Sequence, residues 1–378
     1  MRTPDLLKIT KAEQRLDALL PHRRLKHAPS SELLAAATLW SQAVWEEAEQ
    51  LGPIPLTGGQ LTHGLHLAGN PVFVCGVHRS GTTLVRNLLD GHPDLAVLPS
   101  EGTYYTNLEQ KLKLLPANEW IAFLGTEWLR RLANPINQPP YWLLGRSTGE
   151  GSPYVDFARY LFAWWEVLPH KGHTQWPHTA VLLAYASCFN STAEFWVDKT
   201  PANERFLNRI WDEMPNAKIV LPIRHPIAVL ISRKKMEPGL NLRRALLDLK
   251  VSFRTAVKQL ELNDPRFFIV RYEELTEHPK LAIQKLAAFL NIGVSDILSQ
   301  PTVAGIPAGA NSSFNHDAAP GQILKLTDHQ QNGELSKAEL QLLSACLDEL
   351  SNQLNYPLPK VGLLNKAYLK LKYRLWQR

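Results

Sequence analysis

Residues 71–77, PVFVCGV, are an unbroken apolar run rich in valine, and they lead into a glycine-bearing turn, Gly76-Val77-His78-Arg79-Ser80-Gly81. Beyond the turn, leucines and a valine recur at helical spacing over residues 83–90, and Gly91-His92-Pro93 stops that pattern. A strand that is apolar on both faces offers no side to water. It therefore predicts a position inside a parallel sheet covered by helices on both faces. Further short apolar segments at 96–98, 195–198, 218–223 and 267–270 read as companion strands. Helical patterns at 203–214, 227–235, 242–262 and 280–290 alternate with them or follow them, which is the signature of an α/β domain.

Outside this core the chain changes character. Residues 32–51 carry Leu33, Leu34, Ala37, Trp40, Ala43, Val44 and Ala48 at helical spacing, whereas the Gly and Pro residues of 52–69 predict a linker. From Tyr104 to about Phe189 the sequence is rich in Trp, Tyr and Pro and lacks strand signals, so it predicts a mainly helical cap inserted in the core. Residues 301–322 read as a loop and 336–353 as a helix. The expected organisation is a helical N-terminal extension (1–70), an α/β core (71–300) with its insertion at 104–189, and a covering loop with C-terminal helices (301–378).

The glycine turn is also a chemical signal. A strand that ends in a tight turn opening a helix points backbone N–H groups and the positive end of the helix dipole at one place, which is an anion site. The glycine spacing is that of the nucleoside-triphosphate phosphate loop, Gly-x-x-x-x-Gly-Lys-Ser/Thr. Thr82, however, occupies the lysine position, and the cation sits within the loop as Arg79. The residues expected to hold the anion are Arg79, Ser80, Gly81, Thr82 and Thr83. No carboxylate closing a strand is well placed for magnesium; Asp198 comes nearest, and no metal is expected.

A second constellation follows the strand at 218–223. Arg224 stands at its end, Pro226 suits the first position of a helix, and Ser232 lies two turns along. The guanidinium can fork onto a phosphate and the hydroxyl can add a further bond.

These residues resemble the PAPS-dependent sulfotransferase superfamily (PAPS, 3′-phosphoadenosine 5′-phosphosulfate), whose loop typically reads Arg/Lys-Ser-Gly-Thr-Thr. The stretch PVFVCGVHRSGTTLVRNLLDGHPDL is most similar to the branch holding bacterial and tyrosylprotein enzymes. The resemblance implies that Arg79 to Thr83 hold the 5′-phosphosulfate, with Arg79 stabilising charge on the bridging oxygen. It implies that Arg224 and Ser232 bind the 3′-phosphate. It places Tyr272, in Val270-Arg271-Tyr272-Glu273-Glu274-Leu275, near the adenine, and Asn311 and Ser312 in a loop over the nucleotide. It further implies a catalytic glutamate after the second strand, Glu101, and a lysine near the transferring group, Lys199. The glutamate would be the base that takes the proton of a hydroxyl (or amine) acceptor, and His78 is the other candidate base.

Composition narrows the alternatives. The net charge of +6 is scattered rather than massed in a tract, which suits an anionic small molecule better than nucleic acid. Three dispersed cysteines, Cys75, Cys188 and Cys346, build no disulfide framework or zinc spacing. The first residues lack the apolar stretch of a secretory leader, and the longest apolar runs fall short of the roughly 20 residues that cross a bilayer. A soluble, cytoplasmic protein is expected. The tryptophans Trp142, Trp164, Trp165 and Trp176 fit a core or an acceptor pocket equally. Residues 361–378 place leucines on one face of a lysine-rich helix, a pattern suited either to packing on the domain or to peripheral contact with an anionic membrane. Two other readings remain open: a P-loop phosphotransferase, which would need Mg·ATP, and a non-catalytic nucleotide-binding protein on the same fold.

Overall fold

The computed structural model describes residues 6–21, 29–137, 139–172, 175–189, 192–309, 319–324 and 335–373. Five strands, β1 (Pro71–Val74), β2 (Leu95–Val97), β3 (Phe195–Lys199), β4 (Lys218–Ile223) and β5 (Phe267–Arg271), form one parallel sheet in the order β2-β3-β1-β4-β5. The strands are mostly apolar on both faces because each face has its own core. On one side Phe73, Cys75, Trp196, Ile219 and Leu221 pack with the N-terminal and inserted helices. On the other, Val72, Val74, Val197 and Val220 meet the helix Thr82–Leu89 and the helix Pro279–Leu290. The alternation along β1 follows from the two-residue period of a strand.

All five strands point the same way, so their C-terminal ends share one edge. The chain leaves β1 toward β2 and leaves β4 toward β5, on opposite sides. The crevice between β1 and β4 is thus a topological switch point, where open α/β sheets hold ligands.

The inserted segment is helical, with its main helices at Trp120–Ala133, Pro153–His170 and Trp176–Cys188. The N-terminal helix Ser31–Leu51 packs against the first two. Trp40 meets Trp142 and Tyr154 edge-on at ring separations of 5.2 and 4.9 Å. Gly125 lets the helices approach, since a Cβ there would stand 1.9 Å from the Trp45 ring.

Three expectations need correction. Residues 52–69 are not a linker throughout: Gly58–Ala68 is a helix, started by a reciprocal Thr57–Gln60 capping box that outweighs its glycines. The helix expected over 203–214 begins as a tighter 3-10 turn, Asn203–Phe206, before Leu207–Glu213. Within 301–322, Thr302–Val303 pairs with Ile306–Pro307 as a small antiparallel ladder. Among the described residues, no helix is long and apolar enough to cross a membrane.

Candidate active site

The turn after β1 needs unusual backbone angles: φ is 131° at Gly76, 74° at Arg79 and 107° at Gly81. Glycine adopts such angles freely, but Arg79 does so under strain, and the fold must hold it there. Gly81 has a second constraint, because a Cβ on it would lie 2.4 Å from the Tyr272 ring. Helix Thr82–Leu89 starts directly after it, and by helix geometry its first amides lack carbonyl partners four residues back.

The Arg79 side chain reaches across the switch-point crevice, where its Nε donates to Ser232 Oγ at 2.9 Å. The Arg224 guanidinium lies 4.5 Å above the Tyr272 ring and donates to the Arg79 carbonyl at 3.4 Å. Arg79, Arg224, Ser232 and Tyr272, far apart in sequence, thus form one patch. Two polar atoms there, Ser80 Oγ and Arg224 Nε, are buried and find no partner among the described residues. A phosphate oxygen could accept from either, so these residues fit a phosphate-bearing ligand. Asn311 and Ser312 lie outside the described residues.

Glu101 and Lys199 meet. The Lys199 Nζ donates to Glu101 Oε1 at 2.6 Å, with the lysine side chain buried at the end of β3 and the carboxylate partly open. Burial works to raise the Glu101 carboxyl, but the Lys199 ammonium beside it, with help from His78 and Arg86, holds it below its usual range. Burial lowers the Lys199 ammonium, opposed by Glu101. Burial likewise lowers the His78 imidazole, against the pull of Glu101.

Lys199 does not pair with its neighbour Asp198. That fully buried carboxylate accepts from the Gly102 amide and the Thr200 hydroxyl, both at 2.9 Å, and its other oxygen lies 3.3 Å from His178 Nε2. A Cβ at Gly102 would strike Asp198 at 2.4 Å, so the turn bearing Glu101 is pressed against this carboxylate. Arg131, from the inserted helix, donates to the carbonyls of Glu101 and Gly102 from the other side.

Three positions were not singled out from sequence. Buried Arg86 donates to the Pro99 carbonyl and, at 2.6 Å, to Asn87 Oδ1, bracing the strand end before Glu101. Glu273 accepts from the His225 amide at 2.9 Å and so ties the turn carrying Arg224 to the end of β5. Glu204 accepts from the Gly76 amide at 2.9 Å. Arg86 did leave a trace, a charge on the apolar face of a short helix; Glu204, 128 positions from Gly76, left none.

Burial pushes the Glu204 carboxyl up to about 7, while backbone hydrogen bonds, including that from Gly76, pull it down. A folded value above the unfolded one means that the protonated carboxyl favours the fold. That contribution is complete below the unfolded value and is lost as pH rises through about 7, by roughly 3 kcal/mol. Glu204→Gln keeps an oxygen for the Gly76 amide and removes the titration. The variant is expected to show a flatter decline of melting temperature than the parent between about pH 5 and pH 8; equal slopes would assign the effect elsewhere.

A single cleft of about 910 Å³ joins these parts. Arg79, Gly81, Thr82, Thr83, Arg224 and Tyr272 line it together with His78, Glu101 and Lys199 and with Arg130, Arg131 and Ile136 of the insertion, whereas Ser80 and Ser232 are not among the lining residues. Ala308 and Gly309 also line it. Trp142, Trp164, Trp165 and Trp176 are not among the lining residues; Trp142 and Trp164 are core, and Trp165 packs edge-on against Trp176 at 4.1 Å.

Fold and loop together define a P-loop-like α/β protein with its glycine turn at the C-terminal edge of the sheet. The Sulfotransferase family model matches residues 71–296, more than half of the chain, and the protein belongs to that family. It is 25% identical over 262 residues to protein-tyrosine sulfotransferase 1 of Danio rerio and 23% identical over 265 residues to protein-tyrosine sulfotransferase 2 of Gallus gallus. Each match takes in 67% of this chain but only 62% and 60% of those proteins. Among solved structures, the sulfotransferase domain of the Synechococcus PCC 7002 olefin synthase is 18% identical (TM-score 0.37), covering 81% of this chain and 94% of that one. The sulfotransferase domain from the curacin biosynthetic pathway is 17% identical (TM-score 0.40), covering 80% and 96%. The family assignment rests on the sequence match, not on these distant likenesses.

Proposed function

We propose that the protein transfers the sulfuryl group of PAPS to a hydroxyl (or amine) acceptor and releases adenosine 3′,5′-bisphosphate. The observation that carries this reading is that one cleft is lined both by Arg79 and Arg224, the first of them bonded to Ser232, and by the Lys199–Glu101 pair. A donor whose 3′-phosphate lies against Arg224 and Ser232 and whose phosphosulfate lies on the loop amides would present sulfur toward Lys199.

In this scheme the acceptor oxygen attacks sulfur in line with the bridging oxygen. The new S–O bond forms as the bridging bond breaks, and the electron pair leaves on the phosphate. Loop amides and Arg79 stabilise that developing charge. The sulfuryl oxygens compete for the Lys199 ammonium, which loosens its grip on Glu101. Glu101 then takes the acceptor proton. The Lys199 contact that holds its carboxyl low in the free protein keeps it ionised, and loosening that contact raises its basicity as the acceptor proton arrives.

Calorimetric titration with adenosine 3′,5′-bisphosphate tests the donor. Micromolar or tighter binding is expected without magnesium, and Arg224→Ala should weaken it about 10- to 150-fold, the loss of a charged hydrogen bond worth about 1.5–3 kcal/mol. Indifference to that ligand together with tight binding of Mg·ATP would replace the proposal with phosphoryl transfer. Bisphosphate binding without turnover on any of a panel of phenol, sugar, lipid and peptide acceptors would leave a silent nucleotide-binding protein.

A further inference from the structure

The helix Leu363–Lys372 is held to the domain by one side only. Leu369 packs against the core, Lys366 Nζ donates to Asp348 at 3.2 Å and to Glu349 at 3.4 Å, and the Tyr373 carbonyl accepts from Arg243 Nε at 2.8 Å. The opposite side carries the apolar residues. Leu363 is 84% exposed, Leu364 89%, Leu371 73% and Tyr368 55%. At about 100° per residue, these four and Ala367 fall within roughly 140° of the circumference, one continuous arc.

An amphipathic helix that docks on its own domain turns its leucines inward, and this one turns them out. Lys370 and Lys372 stand just outside the two borders of the arc. No acidic residue occurs between Lys360 and Arg378, while Lys360, Lys366, Lys370, Lys372, Arg374 and Arg378 are basic. Leucines bordered on both sides by lysines match the layering of a bilayer interface, with acyl chains below and anionic headgroups beside the ammonium groups. A protein groove would also cover the leucines, but basic residues on both borders of the arc suit an anionic surface in particular.

We infer that this helix is an interfacial anchor for an anionic lipid surface, seated by Leu363, Leu364, Tyr368 and Leu371 and held electrostatically by the flanking lysines. The inference is independent of the sulfuryl-transfer reading, because none of these residues lines the cleft.

Co-sedimentation of the full chain with vesicles tests it. Binding is expected with vesicles of phosphatidylglycerol and phosphatidylcholine, at least tenfold weaker with phosphatidylcholine alone, and released by high salt. The double variant Leu364→Glu/Leu371→Glu, whose sites are exposed and whose folding circular dichroism can verify, should lose at least tenfold in partition. Lys370→Glu/Lys372→Glu should abolish the preference for anionic vesicles. Absence of parent binding to anionic vesicles, or undiminished binding by the leucine variant, overturns the proposal. So does a parent dimer in sedimentation velocity that the leucine variant dissociates while vesicle binding is absent, which would assign the face to a second copy of the chain.

Discussion

Lys199→Ala is expected to lower kcat for sulfuryl transfer by about 10²–10³-fold while changing affinity for adenosine 3′,5′-bisphosphate by less than about threefold. The effect is large because the ammonium is a point charge in a buried position, at the end of the strand beside the phosphate loop. Val74 and Lys199 are register partners of β1 and β3, so the lysine stands next to the origin of the loop. The substitution also removes the partner of Glu101, whose carboxyl should rise toward its ordinary value once the ammonium is gone. The acid limb of the pH–rate profile is then expected to shift to higher pH in any residual activity. Steady-state rates with bisphosphate binding as a folding control decide the matter: a kcat within threefold of the parent, with binding intact, would remove Lys199 from the chemistry.

Arg79→Ala should cost still more in kcat/KM for the donor, about 10³-fold, because it removes the guanidinium that reaches from the loop to Ser232 while leaving the main-chain carbonyl in place. Its guanidinium bridges to Ser232 and its carbonyl accepts from Arg224, so the loop and the patch expected to hold the 3′-phosphate are joined through this residue. Two further variants separate charge from scaffolding. Arg79→Gly removes the side chain and relieves the strain of a φ of 74°, and Ser232→Ala removes only the bridge. The expected order of activity is parent, then Ser232→Ala, with Arg79→Ala and Arg79→Gly together at the bottom. Recovery of activity in Arg79→Gly would mean that backbone shape, not the cation, is what the loop needs from this position.

Much of the fold was readable before any coordinates. Segment 71–77 announces a doubly covered strand by having no polar face, and Gly76 and Gly81 announce the turn by supplying the angles it needs. The helix Gly58–Ala68 was missed because Gly and Pro weigh heavily in a local reading, although Thr57 and Gln60, three apart, were its visible starting signal. The site was legible in part. Arg79, Glu101, Lys199, Arg224 and Tyr272 do line one cleft, but what each side chain touches was not foreseen. Lys199 turns to Glu101 because Asp198 is taken by Gly102, Thr200 and His178. Ser232 faces Arg79 because the sheet order sets β4 beside β1.

Local stereochemistry acts between residues a few positions apart, so hydrophobic period, glycine spacing and capping pairs can be read along the chain. They were enough for the parallel sheet, the glycine turn that opens the helix Thr82–Leu89, and the basic C-terminal helix. Pairings over a hundred positions, such as Glu204 with Gly76, depend on which strands become neighbours and on which buried polar groups find each other there. Only packing in three dimensions settles those choices, as it settles which face of the last helix is left to the solvent.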